Sequence, residues 1–107
     1  MRPRHSAYNA ASKMIAIFMK PAHLILYTRG YCHLCHDMQA LVESYSPQYN
    51  FELELREVDT QADWIAQFDE LVPVLVTVDN QGIATELCHY HLDVPKFLQF
   101  LAPYQRV

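Results

Sequence analysis

The stretch GYCHLCHDM, residues 30–38, contains two cysteines, Cys32 and Cys35, that are separated by two residues. Such a pair can form a redox-active dithiol. Followed at once by His36, it also spells C-x-x-C-H, the pattern of covalent haem attachment. With further Cys or His ligands it would be half of a zinc site. The sequence around the stretch decides among these interpretations.

The flanking sequence predicts that the two cysteines lie between a strand and a helix. An apolar run, LILYT at residues 24–28, precedes them and is typical of a strand buried on both faces of a parallel sheet. Apolar residues then recur at helical spacing until Ser46-Pro47 ends the pattern. The predicted apolar face of this helix consists of Leu34, Met38, Leu41, Val42 and Tyr45.

A second strand and a short second helix are predicted after this helix. In FELELR, residues 51–56, apolar and charged residues alternate, as in a strand with unlike faces. Thr60 and Asp63 resemble a capping box, in which each side chain satisfies a free N–H group at the helix start. The predicted buried side of the helix is formed by Trp64, Ile65 and Phe68.

The last third of the chain predicts an antiparallel hairpin and a closing helix. Two strand-like runs, residues 74–78 and 83–88, flank the turn sequence DNQG. Asp93 is placed to cap the closing helix, with Pro95 in its first turn. The order β-α-β-α-β-β-α implies a right-handed crossover and helices on both faces of a mixed four-stranded sheet. The predicted fold class is therefore an α/β/α sandwich of three layers.

Composition and charge limit the possible functions. The 107 residues are 51% hydrophobic and 19% charged, which suits one soluble domain. A net charge of −4 argues against a nucleic-acid partner, and no apolar run approaches the roughly 20 residues of a membrane helix. Three cysteines are too few for a disulfide scaffold.

The basic N-terminus is predicted to be an appendage. Residues 1–20 carry no acidic residue and form a candidate flexible segment, whereas residues 21–107 form the predicted domain. Residues 14–19 are apolar, but a signal peptide needs about seven to fifteen such residues and a small-residue cleavage site. We therefore expect a cytoplasmic protein.

The order of elements, with C-x-x-C at a helix start and Val72-Pro73 before a hairpin, resembles the thioredoxin fold in its compact glutaredoxin form. The resemblance extends from about His23 to Pro103. The sequence YCHLC at residues 31–35 is particularly similar to glutaredoxin-like proteins with C-H-x-C, a largely uncharacterised subgroup. The resemblance implies a thiol–disulfide oxidoreductase, with Cys32 and Cys35 as its catalytic residues.

Each cysteine has an expected role. A helix N-terminus stabilises a thiolate, so we expect Cys32 to be the attacking thiol, with a pKa below the free value of about 8.5. Arg29 and His33 are predicted to tune this thiolate by adding positive charge nearby. Cys35, one turn further into the helix, is expected to be more buried and to resolve the mixed disulfide.

A second group of residues is predicted to bind the substrate disulfide or glutathione. By resemblance, Pro73 is the cis-proline of the fold, and the Val72 backbone pairs with a bound peptide or glutathione as an added strand. Tyr31, directly before the dithiol, is a candidate for the wall of the binding groove. Asp93 retains the helix-capping part of the glutathione motif.

The sequence departs from the family pattern in two places. Glutaredoxins usually have Gly-Gly after the last strand, where this chain has CHYHLD at residues 88–93. Glutathione is thus a possible co-substrate, and no tightly bound cofactor is expected. Thioredoxins use a buried acid near the dithiol, but no Asp or Glu occurs between His23 and His36. We expect His36 and Asp37 to be solvated.

The other interpretations of the cysteines remain open. Covalent haem would need an export compartment and a second axial ligand. A zinc site could combine Cys32 and Cys35 with Cys88, His89 or His91, but the latter lack the usual ligand spacing, and no metal site is predicted. Cys88 is expected to be a small buried hydrophobe rather than a third redox thiol.

The leading prediction from sequence is dithiol exchange with protein or low-molecular-weight disulfides. Glutathione or a donor of the thioredoxin-reductase type would restore the dithiol, and neither nucleic acid nor membrane is an expected partner. The alternative is a non-catalytic module of the same fold, in which the cysteines serve as a redox sensor or a metal clip.

Overall fold

The computed structural model describes residues 20–107, so the predicted appendage lies outside the described residues except for Lys20. The elements follow the predicted order. The strands are β1 (Ala22–Thr28), β2 (Phe51–Glu57), β3 (Val74–Val78) and β4 (Ala84–His89). The helices are α1 (His33–Glu43), α2 (Ala62–Phe68) and α3 (Val94–Leu101), with short 3₁₀ helices at Val58–Thr60 and Ala102–Tyr104.

The four strands form one mixed sheet in the order β2-β1-β3-β4. β1 and β2 are parallel, with Thr28 opposite Glu57 at their carboxyl ends. β3 is antiparallel to both of its neighbours, and Tyr27 of β1 lies opposite Val74 of β3. The loop after β1, the residues after β2 and the segment before β3 therefore meet at one end of the sheet.

Helices cover both faces of the sheet, which confirms the three-layer prediction. Because side chains alternate along β1, its even and odd positions enter different cores. Leu24 and Leu26 pack in the core that α1 and α3 cover, together with Met38, Val42, Phe97 and Leu101. Ile25 and Tyr27 pack on the opposite face, where the partly buried Trp64 and Phe68 of α2 join them.

The buried side of α1 differs from the prediction. Leu34 and Leu41 are 38% and 41% exposed, whereas the buried residues of the helix are Cys35, Met38 and Val42. These three residues follow an i, i+3, i+7 pattern that includes the cysteine as an apolar residue. The helix is thus rotated so that Cys35, rather than Leu34, faces the core.

The two later helices begin differently. The capping box predicted for α2 is wrong: Gln61 is the N-cap without a side-chain bond, and Thr60 ends a 3₁₀ turn in which its hydroxyl donates to the Glu57 carbonyl at 2.7 Å. This extra turn shifts the helix start past Thr60. For α3 the prediction is confirmed, because Asp93 Oδ1 accepts a hydrogen bond from the Lys96 N–H at 3.1 Å.

Within residues 20–107, each helix falls short of the length and apolar character that crossing a bilayer requires.

Candidate redox site

The two cysteines lie at the start of α1 with unequal exposure. Cys32 is the N-cap in extended conformation, and its Sγ accepts a hydrogen bond from the Cys35 N–H at 3.1 Å. The two sulfur atoms are at disulfide-bonding distance, and the Cα atoms are 5.1 Å apart, within the usual range for a disulfide. Cys35 is fully buried, while Cys32 is half-buried. An outside molecule therefore meets Cys32 first.

The helix start favours negative charge on Cys32. The free N–H groups and the macrodipole of α1 place partial positive charge at this end, and the first turn contains no acidic residue that would oppose it. His33, the first residue of the helix, is exposed, as are His36 and Asp37. The expectation that His36 and Asp37 are solvated is confirmed.

Arg29 forms hydrogen bonds with the carboxylates of Asp59 and Asp69. Its Nε and Nη2 donate to the two oxygens of Asp59 at 3.0 and 2.9 Å, and Nη2 also lies 2.7 Å from Asp69 Oδ1. Its Nη1 donates to the Asp69 carbonyl at 3.2 Å. Hydrogen bonds from Arg29 lower the pKa of Asp59, and both carboxylates raise the pKa of the guanidinium. The thiolate-tuning role of Arg29 stays a prediction.

Three acidic residues of this site were missed from the sequence. Glu57 accepts a hydrogen bond from the Gly30 N–H at 3.1 Å, and Asp59 and Asp69 bind Arg29. Because β1 and β2 are parallel, residues that follow the two strands meet at one edge of the sheet. That rule could have connected Glu57 and Asp59 to the redox loop, whereas no sequence signal marks Asp69.

The predicted substrate-binding segment precedes β3 at the same end of the sheet. The Val72-Pro73 peptide bond is cis, as expected, and Pro73 is buried. Val72 is half-buried, and its N–H donates to the Phe68 carbonyl at 3.2 Å. Pairing with a bound peptide through this N–H would require that the bond to Phe68 be given up. Tyr31 is completely exposed beside Cys32.

Tyr90 holds the same segment from the other side. Its backbone N–H donates to the Pro73 carbonyl at 2.9 Å, and its hydroxyl donates to the Glu70 carbonyl at 2.7 Å. Its φ of 66° is a conformation that glycine adopts freely and a bulky residue rarely does. The backbone after β4 thus adopts a conformation that usually requires glycine, although a tyrosine occupies the position.

Comparison with known proteins supports what the geometry indicates. Residues 23–102 match the glutaredoxin-like domain (DUF836). The chain belongs to the glutaredoxin-like family. The solution structure of protein Ne2328 from Nitrosomonas europaea is 34% identical, with a TM-score of 0.68 over 78% of this chain and 94% of that one.

A more distant structure shows the fold alone. The crystal structure of a Plasmodium falciparum thioredoxin is 11% identical to the glutaredoxin-like chain, with a TM-score of 0.52 over 91% of this chain and 82% of that one. No curated protein matches the sequence. The thioredoxin-like fold that the sequence predicted is confirmed.

The side chains of the glutaredoxin-like domain that could bind a metal ion do not lie together. Among residues 20–107, no three His, Cys, Asp or Glu side chains form a cluster that could hold a metal ion. The zinc set considered from sequence is therefore not assembled. His89 Nδ1 instead lies 2.8 Å from Glu86 Oε2. Asp93, a candidate for glutathione binding, caps α3 and is exposed.

Cys88 behaves as a packing residue in this domain. It is half-buried against the core that α1 and α3 cover. Burial raises the pKa of its thiol, an effect that a hydrogen bond from the Asp93 backbone partly offsets. Because thiolates are the reactive form, Cys88 is poorly suited to redox exchange.

Proposed function

We propose that this glutaredoxin-like protein is a thiol–disulfide oxidoreductase that works through Cys32 and Cys35. The observation that carries the proposal is the unequal exposure of the paired cysteines: Cys32 is reachable at a helix N-terminus, and Cys35 is buried behind it at disulfide distance. This arrangement separates an attacking thiol from a resolving thiol.

The exchange consists of two displacement steps. In the reduced protein, the Cys32 thiolate attacks one sulfur of a substrate disulfide and releases the other sulfur as a thiolate. The Cys35 sulfur then loses its proton and attacks Cys32 Sγ, which forms the Cys32–Cys35 disulfide and releases the second substrate thiolate. The substrate gains two electrons, and the protein dithiol loses two.

Proton transfer distinguishes this site from one that has a buried acid. In the part of the chain that the structure describes, no Asp or Glu is buried. The Cys35 proton would therefore pass to the departing thiolate or to water rather than to a buried carboxylate. If loss of this proton is slow enough to limit turnover, the protein would exchange disulfides too slowly for an enzyme. The alternative function, a redox sensor, would then be favoured.

The proposed substrates are protein or low-molecular-weight disulfides. The exposed Tyr31 ring is available to contact a substrate beside Cys32, and the Val72 backbone would pair with it once the Val72 N–H leaves the Phe68 carbonyl. Asp93 is part of the proposed glutathione site. Glutathione or a donor of the thioredoxin-reductase type would restore the dithiol in the cytoplasm, without a tightly bound cofactor.

Turnover with defined cysteine variants tests the proposal. Wild type should reduce a model disulfide catalytically in glutathione or in a reductase-coupled assay, and Cys32→Ser should abolish turnover. Cys88→Ser is the matched control and should retain it. The enzyme proposal fails if wild type and Cys32→Ser behave alike, and a dithiol that oxidises reversibly without turnover would instead indicate the sensing module.

A further inference from the structure

Residues 69–73 form a segment that is bound from two sides. The segment joins α2 to β3 and includes Val72 and Pro73. From one side, Arg29 of the redox loop contacts both the carboxylate and the carbonyl of Asp69. From the other side, Tyr90 contacts the carbonyls at positions 70 and 73. The segment is thus connected directly to the loop that carries Cys32.

We propose that Arg29 is a positioning residue that fixes residues 69–73 relative to Cys32. The inference rests on the proposed function, because the segment contains Val72, whose backbone is proposed to receive the substrate. A substrate disulfide must reach Cys32 while its chain lies along Val72. The spacing between these two points therefore determines whether the bound sulfur lies in line for attack.

The charge around Arg29 argues for positioning rather than for thiolate tuning. One guanidinium cation faces two carboxylates at 2.7 to 3.0 Å. The group of Arg29, Asp59 and Asp69 therefore carries a net charge of about −1 at neutral pH. A cation that is already paired with two anions contributes little positive potential to a thiolate outside the group.

The geometry also requires arginine rather than any cation. The planar guanidinium donates to both oxygens of Asp59 and, with its other N–H groups, to the side chain and backbone of Asp69. Lysine has one nitrogen on a flexible stem and cannot make this fork. The two hypotheses therefore make opposite predictions for a lysine substitution.

Three variants separate positioning from charge. Arg29→Lys keeps the charge and loses the fork, Arg29→Gln loses both, and Asp69→Asn removes the ionic contact to the segment. Arg106→Gln is the control, because Arg106 donates to the Ser46 carbonyl beyond the far end of α1. The readouts are kcat and KM for a disulfide-containing peptide and the Cys32 thiolate titration, followed by ultraviolet absorbance.

We expect Arg29→Lys and Asp69→Asn to lower kcat/KM by about 10- to 100-fold, mainly through kcat, because misalignment slows the attack on a bound disulfide. The Cys32 titration of Arg29→Lys should match wild type, and Arg106→Gln should match wild type in all respects. The inference is overturned if Arg29→Lys retains wild-type kcat/KM. If Arg29→Gln does not fold, Asp69→Asn still decides the matter.

Amide hydrogen exchange at Val72 tests the anchoring independently of turnover. The N–H of Val72 is bonded to Phe68, so its exchange rate reports how firmly the segment is held. We expect faster exchange in Arg29→Lys than in wild type and in Arg106→Gln. Unchanged exchange contradicts the inference even in an active enzyme. If wild type shows no turnover but exchange is faster in Arg29→Lys, the proposed function fails, whereas the anchoring of residues 69–73 by Arg29 stands.

Discussion

The Sγ of Cys32 accepts the backbone N–H of Cys35 at 3.1 Å, so the sulfur proposed to attack substrates is also the N-cap of α1. One atom thus has both a structural and a chemical task. A hydrogen bond to the thiolate stabilises the charged form in the reduced protein. The same bond satisfies one of the free N–H groups at the helix start.

The capping task can be separated from the redox task by comparing two variants. Serine is a good N-cap and alanine is a poor one, so under reducing conditions Cys32→Ala should be about 1 kcal/mol less stable than Cys32→Ser. Urea unfolding of both variants measures the difference. Ser46→Ala, at an exposed position outside the helix, provides the control and should change little. Equal unfolding midpoints for the two Cys32 variants would show that position 32 does not act as a side-chain N-cap of α1.

The ion pair of Asp59 predicts a specific loss of stability in acid. Because Arg29 lowers the pKa of Asp59 in the folded state, the pair stabilises the fold above the ordinary Asp pKa of about 3.9. Stability is then lost as pH falls through the lower folded pKa. Asp59→Asn should unfold more easily at neutral pH, and its free energy of unfolding, measured with urea at a series of pH values, should fall less steeply in acid than that of wild type. Asp37→Asn, an exposed change on α1, is the control and should lose stability in acid as wild type does. If Asp59→Asn also follows the wild-type dependence of stability on pH, the Arg29–Asp59 pair does not stabilise the fold.

The burial of Cys88 predicts slow alkylation. Its raised pKa leaves less thiolate at neutral pH than an exposed cysteine has. In the fully reduced protein, iodoacetamide should therefore modify Cys32 before Cys88, and peptide mass spectrometry can follow both sites over time. Urea should abolish the difference, because burial is its cause. Preferential labelling of Cys88 in the native protein would contradict this account.

The aromatic contacts of α3 predict a large effect at Phe97. Its ring is fully buried, with centroids 5.5 Å from Tyr45 and 6.3 Å from Phe51. Phe97→Ala should lower the free energy of unfolding by about 3–5 kcal/mol. Phe100→Ala removes a half-buried ring from the same helix and should cost clearly less. Denaturant unfolding compares the two, and equal losses would count against Phe97 as the main anchor of α3.

The fold could be predicted because its signals are local. Strand alternation, the turn at residues 79–82 and the Asp93 cap are each encoded within a few residues. The buried face of α1 was harder to predict, because it includes Cys35 in place of Leu34. A cysteine can be counted as an apolar core residue only when its surroundings are known. The start of α2 was misplaced because the sequence does not reveal the 3₁₀ turn at Val58–Thr60.

The cysteines and the cis-proline of the candidate site could be predicted from the sequence, whereas the residues that hold the neighbouring segment in place could not. Cys32, Cys35 and the cis bond of Val72-Pro73 follow from one motif and one family resemblance. Asp69 and Tyr90 act through contacts between residues 20 to 40 positions apart, which no short pattern records. The backbone conformation of Tyr90 was also unexpected, because a left-handed residue in a turn is usually glycine and a tyrosine gives no such signal.

Trapping of a mixed disulfide tests the central claim most directly. In Cys35→Ser, the Cys32 thiolate can attack a substrate disulfide, but no resolving thiol follows, so the covalent adduct should accumulate. Peptide mass spectrometry then locates the attached group. The account predicts a stoichiometric adduct on Cys32 that a small thiol releases. An adduct on Cys88, or none on Cys32, would contradict it.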